Sequence, residues 1–222
     1  MTPGAAAGAH RKTGGALRLV EASSGAPRSV DISSYVREMR AHCPYLGASL
    51  RRGLTTWTVY RADGGPDAAE AELFHAGARA AEWLRPLVRR PHGWLRCENL
   101  VVLGGHPDLL VWPHWVLKNL YGPVGIMFGR FAAGAAEFTR CGARVPAAPV
   151  SFLPVRPAVR RRDPALLRTT PGLAAAVAVA EDDGRDVFAH LPHEWTEIRT
   201  WTRRFLPPVQ PPPSCGPVSG SL

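Results

Sequence analysis

Residues 53–90, GLTTWTVYRADGGPDAAEAELFHAGARAAEWLRPLVRR, are the stretch on which the fold turns. Its first part, GLTTWTVYR, is dense in β-branched and aromatic residues, which fit a pleated, half-buried surface, and ADGGP closes it with turn residues. A strand over 54–61 is predicted. Beyond the turn, Leu73, Phe74, Ala80, Trp83, Leu84 and Leu87 recur near the helical period. Asp67, Glu70 and Glu72 come early and Arg89 and Arg90 late, the order the helix dipole favours. The segment therefore reads as strand, turn and long amphipathic helix.

Working outward, ENLVVLGG (98–105) and GPVGIMFGRF (122–131) are short continuous apolar runs suited to buried strands. Between them Pro113 fits the first turn of a helix that runs on to Tyr121 and stops at Gly122. PVSFLPVRP (149–157) is a further strand, which its prolines should push to an edge or break early. Ile32, Tyr35, Val36 and Met39 predict a short helix with Asp31 or Ser33 as N-cap. DPALL predicts another, with Asp163 as N-cap and Pro164 next. Trp195, Ile198 and Trp201 stripe a last helix, and 173–184 fits strand or helix equally. Strands so irregularly interleaved with helices predict a single α+β domain over 29–206, with a central mixed or antiparallel sheet flanked by helices. Residues 1–28 and 207–222 offer too little periodic apolar surface to offset their ordering entropy, so both are expected to be disordered tails.

A chain of 222 residues is long enough for one substantial core. Its net charge of +9 invites a nucleic-acid partner, because basic side chains neutralise phosphates. Yet Lys12 and Lys118 are its only lysines, and the remaining positive charge is arginine in a chain rich in Ala, Gly and Pro. A solvated basic surface is the better reading, and nucleic acid is not expected as a partner. Cys43, Cys97, Cys141 and Cys215 form no CxxC pair, which argues against a zinc ribbon or a thioredoxin-type motif. The N-terminal stretch has no continuous apolar segment and no run is long enough to span a bilayer, so a cytoplasmic protein with reduced thiols and no membrane partner is expected.

Residues 104–131 hold the densest candidate chemistry. His114 would sit in the first turn of its helix, where the dipole favours the neutral imidazole that a metal or haem iron requires. His106 is the second candidate ligand, and Cys97 would extend the set, although the spacing matches no zinc signature. Either histidine could instead cap a loop or pack among Trp112, Trp115 and Leu117. Lys118 lies one turn beyond His114, placed to bind a carboxylate or phosphate or merely to snorkel. Arg130 follows the glycine-spaced strand and could hold an anion. Gly122, Gly125 and Gly129 do not make a dinucleotide loop; they indicate a bulge or a close approach of another backbone or a flat ligand. Cys43, before Pro44, is a candidate nucleophile or axial ligand, or a buried structural thiol. No GxSxG, P-loop, HExxH or paired-carboxylate pattern is present.

Cys43-Pro44-Tyr45, Leu117-Lys118, Gly125-Ile126-Met127-Phe128-Gly129-Arg130-Phe131, Pro149, Arg156, Asp163 and Leu166 occur in an order that resembles a family of uncharacterised bacterial domains of unknown function. The likeness runs from Cys43 to Trp201 and departs from the family at Arg130, where an acidic or amide residue is more usual. CPYLGASLRRG (43–53) is also similar to the N-terminal segment of the YqcI/YcgG family, which includes a haem-dependent N-hydroxylase of guanidine-bearing natural products. These resemblances imply a small cytoplasmic bacterial α+β domain of specialised metabolism. The oxidoreductase reading is a haem-dependent oxygenase or N-hydroxylase, with His106, His114 or Cys43 on iron and with Lys118, Arg130 and Arg156 as ligand-binding residues. The alternative is a non-catalytic domain that binds a small molecule through the same side chains.

Overall fold

A computed structural model describes residues 15–135, 137–138 and 144–205. Strand β1 (Leu17–Ser24) is followed by helices α1 (Ser33–Met39) and α2 (Leu46–Arg51). Strand β2 (Thr55–Ala62), helix α3 (Pro66–Leu84) and strand β3 (Cys97–Leu103) come next, then helix α4 (Val111–Tyr121) and strand β4 (Ile126–Phe128). A small β5 (Glu137–Phe138) and β6 (Arg144–Val145) pair precedes β7 (Ser151–Pro157), α5 (Pro171–Ala178) and α6 (Trp195–Arg203). The main sheet has the order β1-β2-β3-β7-β4. β2 and β3 are parallel, joined through α3, and the other neighbours are antiparallel. The architecture is the expected α+β domain with a mixed sheet and flanking helices.

Alternation along the strands sends successive side chains to opposite faces. Leu100, Val102, Leu153, Val155, Ile126 and Phe128 face α3, α4 and α6 in the main core, where Leu73, Leu84, Leu110, Leu117 and Tyr121 are fully buried. Each such aliphatic side chain contributes about 1.5–3 kcal/mol of transfer free energy. The opposite face is covered in two patches. Trp57, Val59, Val101 and Phe152 pack under Ile32 and Tyr35 of the α1 segment, and Met127 packs under Leu167, Leu173 and Val177 around α5. Between these patches the sheet face is left open.

Several expectations are corrected. Residues 17–24, placed in the N-terminal tail by composition, form edge strand β1, paired with β2 from Leu17↔Ala62 onward. Their order comes from distant partners: the Glu72 carboxylate accepts the Ala16 and Leu17 N–H groups at 2.9 and 2.8 Å, and Ser23 donates to Glu98 at 2.8 Å. Of the expected tails, residues 1–14 and 207–222 lie outside the described residues, as do Cys141 and Cys215. β7 is an interior strand and not an edge. Its Pro154 is tolerated because its missing N–H falls opposite Gly129, where β4 has already ended, while its carbonyl accepts the Gly129 N–H at 2.9 Å. Trp83, assigned to the apolar stripe of α3, is 51% exposed, because the buried stripe runs through Leu73, Phe74, Gly77, Ala81 and Leu84. Asp163 does not cap a helix; it opens a short 3-10 turn and spends its carboxylate elsewhere.

Candidate functional site

The open part of the second sheet face is a cavity of about 530 Å³. Its floor lies where β2 and β3 begin and β7 ends, and strand alternation puts Thr55, Cys97 and Arg156 on this face. The turn His42–Tyr45 and the start of α2 form one wall, and the segment Pro157–Leu166 forms another. Trp94 and Leu166, 54% and 61% exposed, stand at its rim as two of the few large apolar side chains turned to solvent. Tyr45 packs edge-on against Trp94 with ring centroids 5.8 Å apart, and the Arg162 guanidinium lies 5.6 Å from the Tyr45 ring centre.

Arg156 and Asp163 make the deepest polar pair in this cavity. The guanidinium donates to both carboxylate oxygens at 2.8 Å, and the Val159 N–H donates to Asp163 at 2.6 Å. Burial works against the Arg156 cation, but Asp163 outweighs it and holds the guanidinium pKa above its ordinary value. The positive charge of Arg156 is thereby neutralised. Arg96, Arg161 and Arg162 line the same cavity, and among the described residues no carboxylate forms an ion pair with any of them. The Arg96 Nε is buried with no hydrogen-bond partner. A buried guanidinium donor without an acceptor is costly unless something occupies its vacant direction, and the cavity beside it supplies room for an anion or water.

Two thiols complete the site. Cys43 and Cys97 are both free and partly buried, and both line the cavity. Burial pushes the Cys97 thiol up to about 12, with Arg156 pulling the other way, so at neutral pH it is protonated and a poor nucleophile or metal ligand.

The sequence candidates divide among three places. Cys43 and Arg156 meet in the cavity. His114, Lys118 and Arg130 gather instead around the end of the short edge strand β4. His114 Nε2 donates to the Phe128 carbonyl at 3.1 Å, and burial, reinforced by Lys118, pushes its imidazole down to about 3. Lys118 is held below the usual ammonium range by burial and by Arg130. The ring is neutral, as the helix-dipole argument predicts, but its main cause is desolvation.

His106 is elsewhere again. Its side chain is 78% exposed, its Nδ1 accepts the Asp108 N–H at 3.3 Å, and it faces the Asp108 carboxylate. Neither histidine lines the cavity, and among the described residues no group of three or more His, Cys, Asp or Glu side chains is placed to hold a metal. His114 uses Nε2 on the Phe128 carbonyl, away from the cavity, and the Cys97 thiol within the cavity is held protonated. The structure therefore brings neither histidine beside Cys43, Cys97 and Arg156, the candidate residues that share this cavity.

The glycine spacing of 122–131 is explained by packing. A Cβ at Gly129 would stand 2.7 Å from the Pro154 ring, and Gly125 has φ of +84°, open to glycine at little cost. No flat ligand is needed to account for them. Sequence reasoning missed Arg96, Arg161, Arg162, Tyr45 and Trp94 as site residues. The run Arg160-Arg161-Arg162-Asp163 was the available signal, a block of three cations with a single acid. It also missed Glu98, buried on β3 and held by the hydroxyls of Ser23, Thr56 and Thr58.

Comparison with protein-family models, curated proteins and solved structures finds no match for this chain.

Proposed function

We propose that this chain is a binding domain for an anionic small molecule with an apolar or aromatic body, working in a reducing, cytoplasmic setting. The observation that carries this reading is the pairing of Arg96, Arg161 and Arg162, which have no carboxylate partner among the described residues, with the apolar rim of Tyr45, Trp94 and Leu166 in one cavity. The cavity falls in the range of about 300–1,000 Å³ typical of small-molecule sites. The guanidinium groups would take a carboxylate, sulfonate or phosphate, which they match in planar, multi-donor geometry. The aromatic rim would cover the ligand's body. Arg156 belongs to the frame, because Asp163 occupies its fork.

The test uses two fluorescent probes of similar shape, anionic anilinonaphthalene sulfonate and neutral N-phenylnaphthylamine. The anionic probe should bind more tightly, and Arg161→Gln with Arg162→Gln should weaken it several-fold while leaving the neutral probe unchanged. Trp94→Ala should weaken both. Equal affinities for the two probes, unaltered by the arginine substitutions, would overturn the reading.

A further inference from the structure

Cys43 and Cys97 reach the cavity from segments that the fold ties together. The Cys43 carbonyl accepts the Leu46 N–H at 3.3 Å as α2 begins. One turn later the hydroxyls of Ser49 and Thr55 meet at 2.6 Å. The Leu54 N–H donates to the Ser49 carbonyl at 3.0 Å, and the Cys97 N–H donates to the Leu54 carbonyl at 2.9 Å. A short path of hydrogen bonds thus ties the C-terminal end of α2 to the first residues of β2 and β3. Both thiols line the one cavity, Cys97 from its floor and Cys43 from the adjoining wall, with Arg156 on the same floor. Nothing in the ligand reading requires two thiols at this spot.

We propose that Cys43 and Cys97 are a peroxide-responsive dithiol–disulfide pair that narrows the cavity when oxidised. Cys43 lies in a turn whose neighbours His42 and Pro44 are exposed, so it is the thiol that meets the oxidant. Its thiolate attacks one oxygen of hydrogen peroxide, the O–O bond breaks, and the leaving hydroxide takes a proton to become water. Cys43 is then a sulfenic acid. The Cys97 sulfur attacks the Cys43 sulfur, the S–O bond breaks, and hydroxide departs with the Cys97 proton as a second water. Two thiols and one peroxide become a disulfide and two waters. Burial of Cys97 sets the order, because a protonated thiol does not compete for peroxide. A small-molecule thiol returns the pair to the dithiol by exchange. Closure would draw the first turn of α2 onto β3, across the cavity floor; this last consequence rests on the ligand reading above.

The experiment uses the full chain with Cys141→Ser and Cys215→Ser, so that only the two cavity thiols remain. Equimolar hydrogen peroxide should remove two hydrogens from the intact mass and abolish both titratable thiols, and dithiothreitol should restore both. Adding Cys97→Ser should instead trap a sulfenic acid on Cys43, detected with dimedone. Binding of anilinonaphthalene sulfonate should fall by at least tenfold on oxidation. Oxygen addition without the loss of two hydrogens would overturn the pair, and a disulfide that leaves probe binding intact would overturn the narrowing. If the disulfide forms in a protein that never binds the probe, the ligand reading fails and the redox pair stands. Should the double serine variant not fold, peptide mapping of the oxidised wild-type chain decides the pairing: a Cys43–Cys97 crosslinked peptide supports it, and links to Cys141 or Cys215 in its place overturn it.

Discussion

Replacing Asp163 by Ala should separate the frame of the cavity from its ligand-facing charges. Asp163 is 2% exposed and accepts three hydrogen bonds, two from Arg156 and one from the Val159 N–H. Removing one partner of a buried ion pair costs about 3–5 kcal/mol, because the other charge is left uncompensated. Here the Arg156 side chain is 31% exposed toward the cavity, so water can rehydrate part of it and the lower end applies. The orphaned Val159 N–H adds about 1 kcal/mol. The expected loss is about 3–4 kcal/mol, read as a lowered midpoint in urea with an unchanged slope. Asp163→Asn keeps one acceptor oxygen and should cost about 2 kcal/mol. A double-mutant cycle with Arg156→Met should give a coupling of about 2 kcal/mol. Affinity for anilinonaphthalene sulfonate should move the other way and rise in Asp163→Asn, since the freed guanidinium fork then faces the cavity. A destabilisation by Asp163→Ala below about 1 kcal/mol, or a coupling below about 0.5 kcal/mol, would refute the reasoning.

Three other outcomes follow from the same structure. His114 has a folded pKa of about 3 against an ordinary 6.5, so between these values the unfolded chain binds the extra proton. Stability should therefore fall as pH drops from about 6.5 toward 3, by up to about 1.4 kcal/mol per pH unit, and His114→Gln should flatten that slope in urea titrations at successive pH. Lys118→Met should raise the His114 pKa, read by NMR, while leaving it below 6.5, because burial is the larger cause; an unchanged value would remove Lys118 from the ring's surroundings. Deleting residues 1–28 should cost several kcal/mol and promote aggregation, since it strips β1 and opens the edge of β2, whereas a chain beginning at Gly15 keeps that strand; equal melting temperatures for the two would contradict the sheet order.

What the sequence by itself determined is what short-range physics encodes. β-branched density specifies β2, the helical period and charge order specify α3, and the apolar runs specify β3 and β4, so the α+β class was legible before any coordinates. The dipole argument for a neutral His114 and the one-turn spacing to Lys118 were legible for the same reason: both partners lie on one helix. Only the tertiary structure decided the rest. β1 carries a weak pattern, and its order comes from Glu72 and the β2 backbone, partners far away along the chain. Pro154 looked like an edge marker until register showed that its missing N–H meets the end of β4. The cavity is the sharpest case. Cys43, the adjacent Arg96 and Cys97, and Arg156 with Arg162 come from three separate segments, and nothing in the spacing of those segments joins them. They meet because two small cores cover one face of the sheet and leave a gap between them, a consequence of how helices pack on that face.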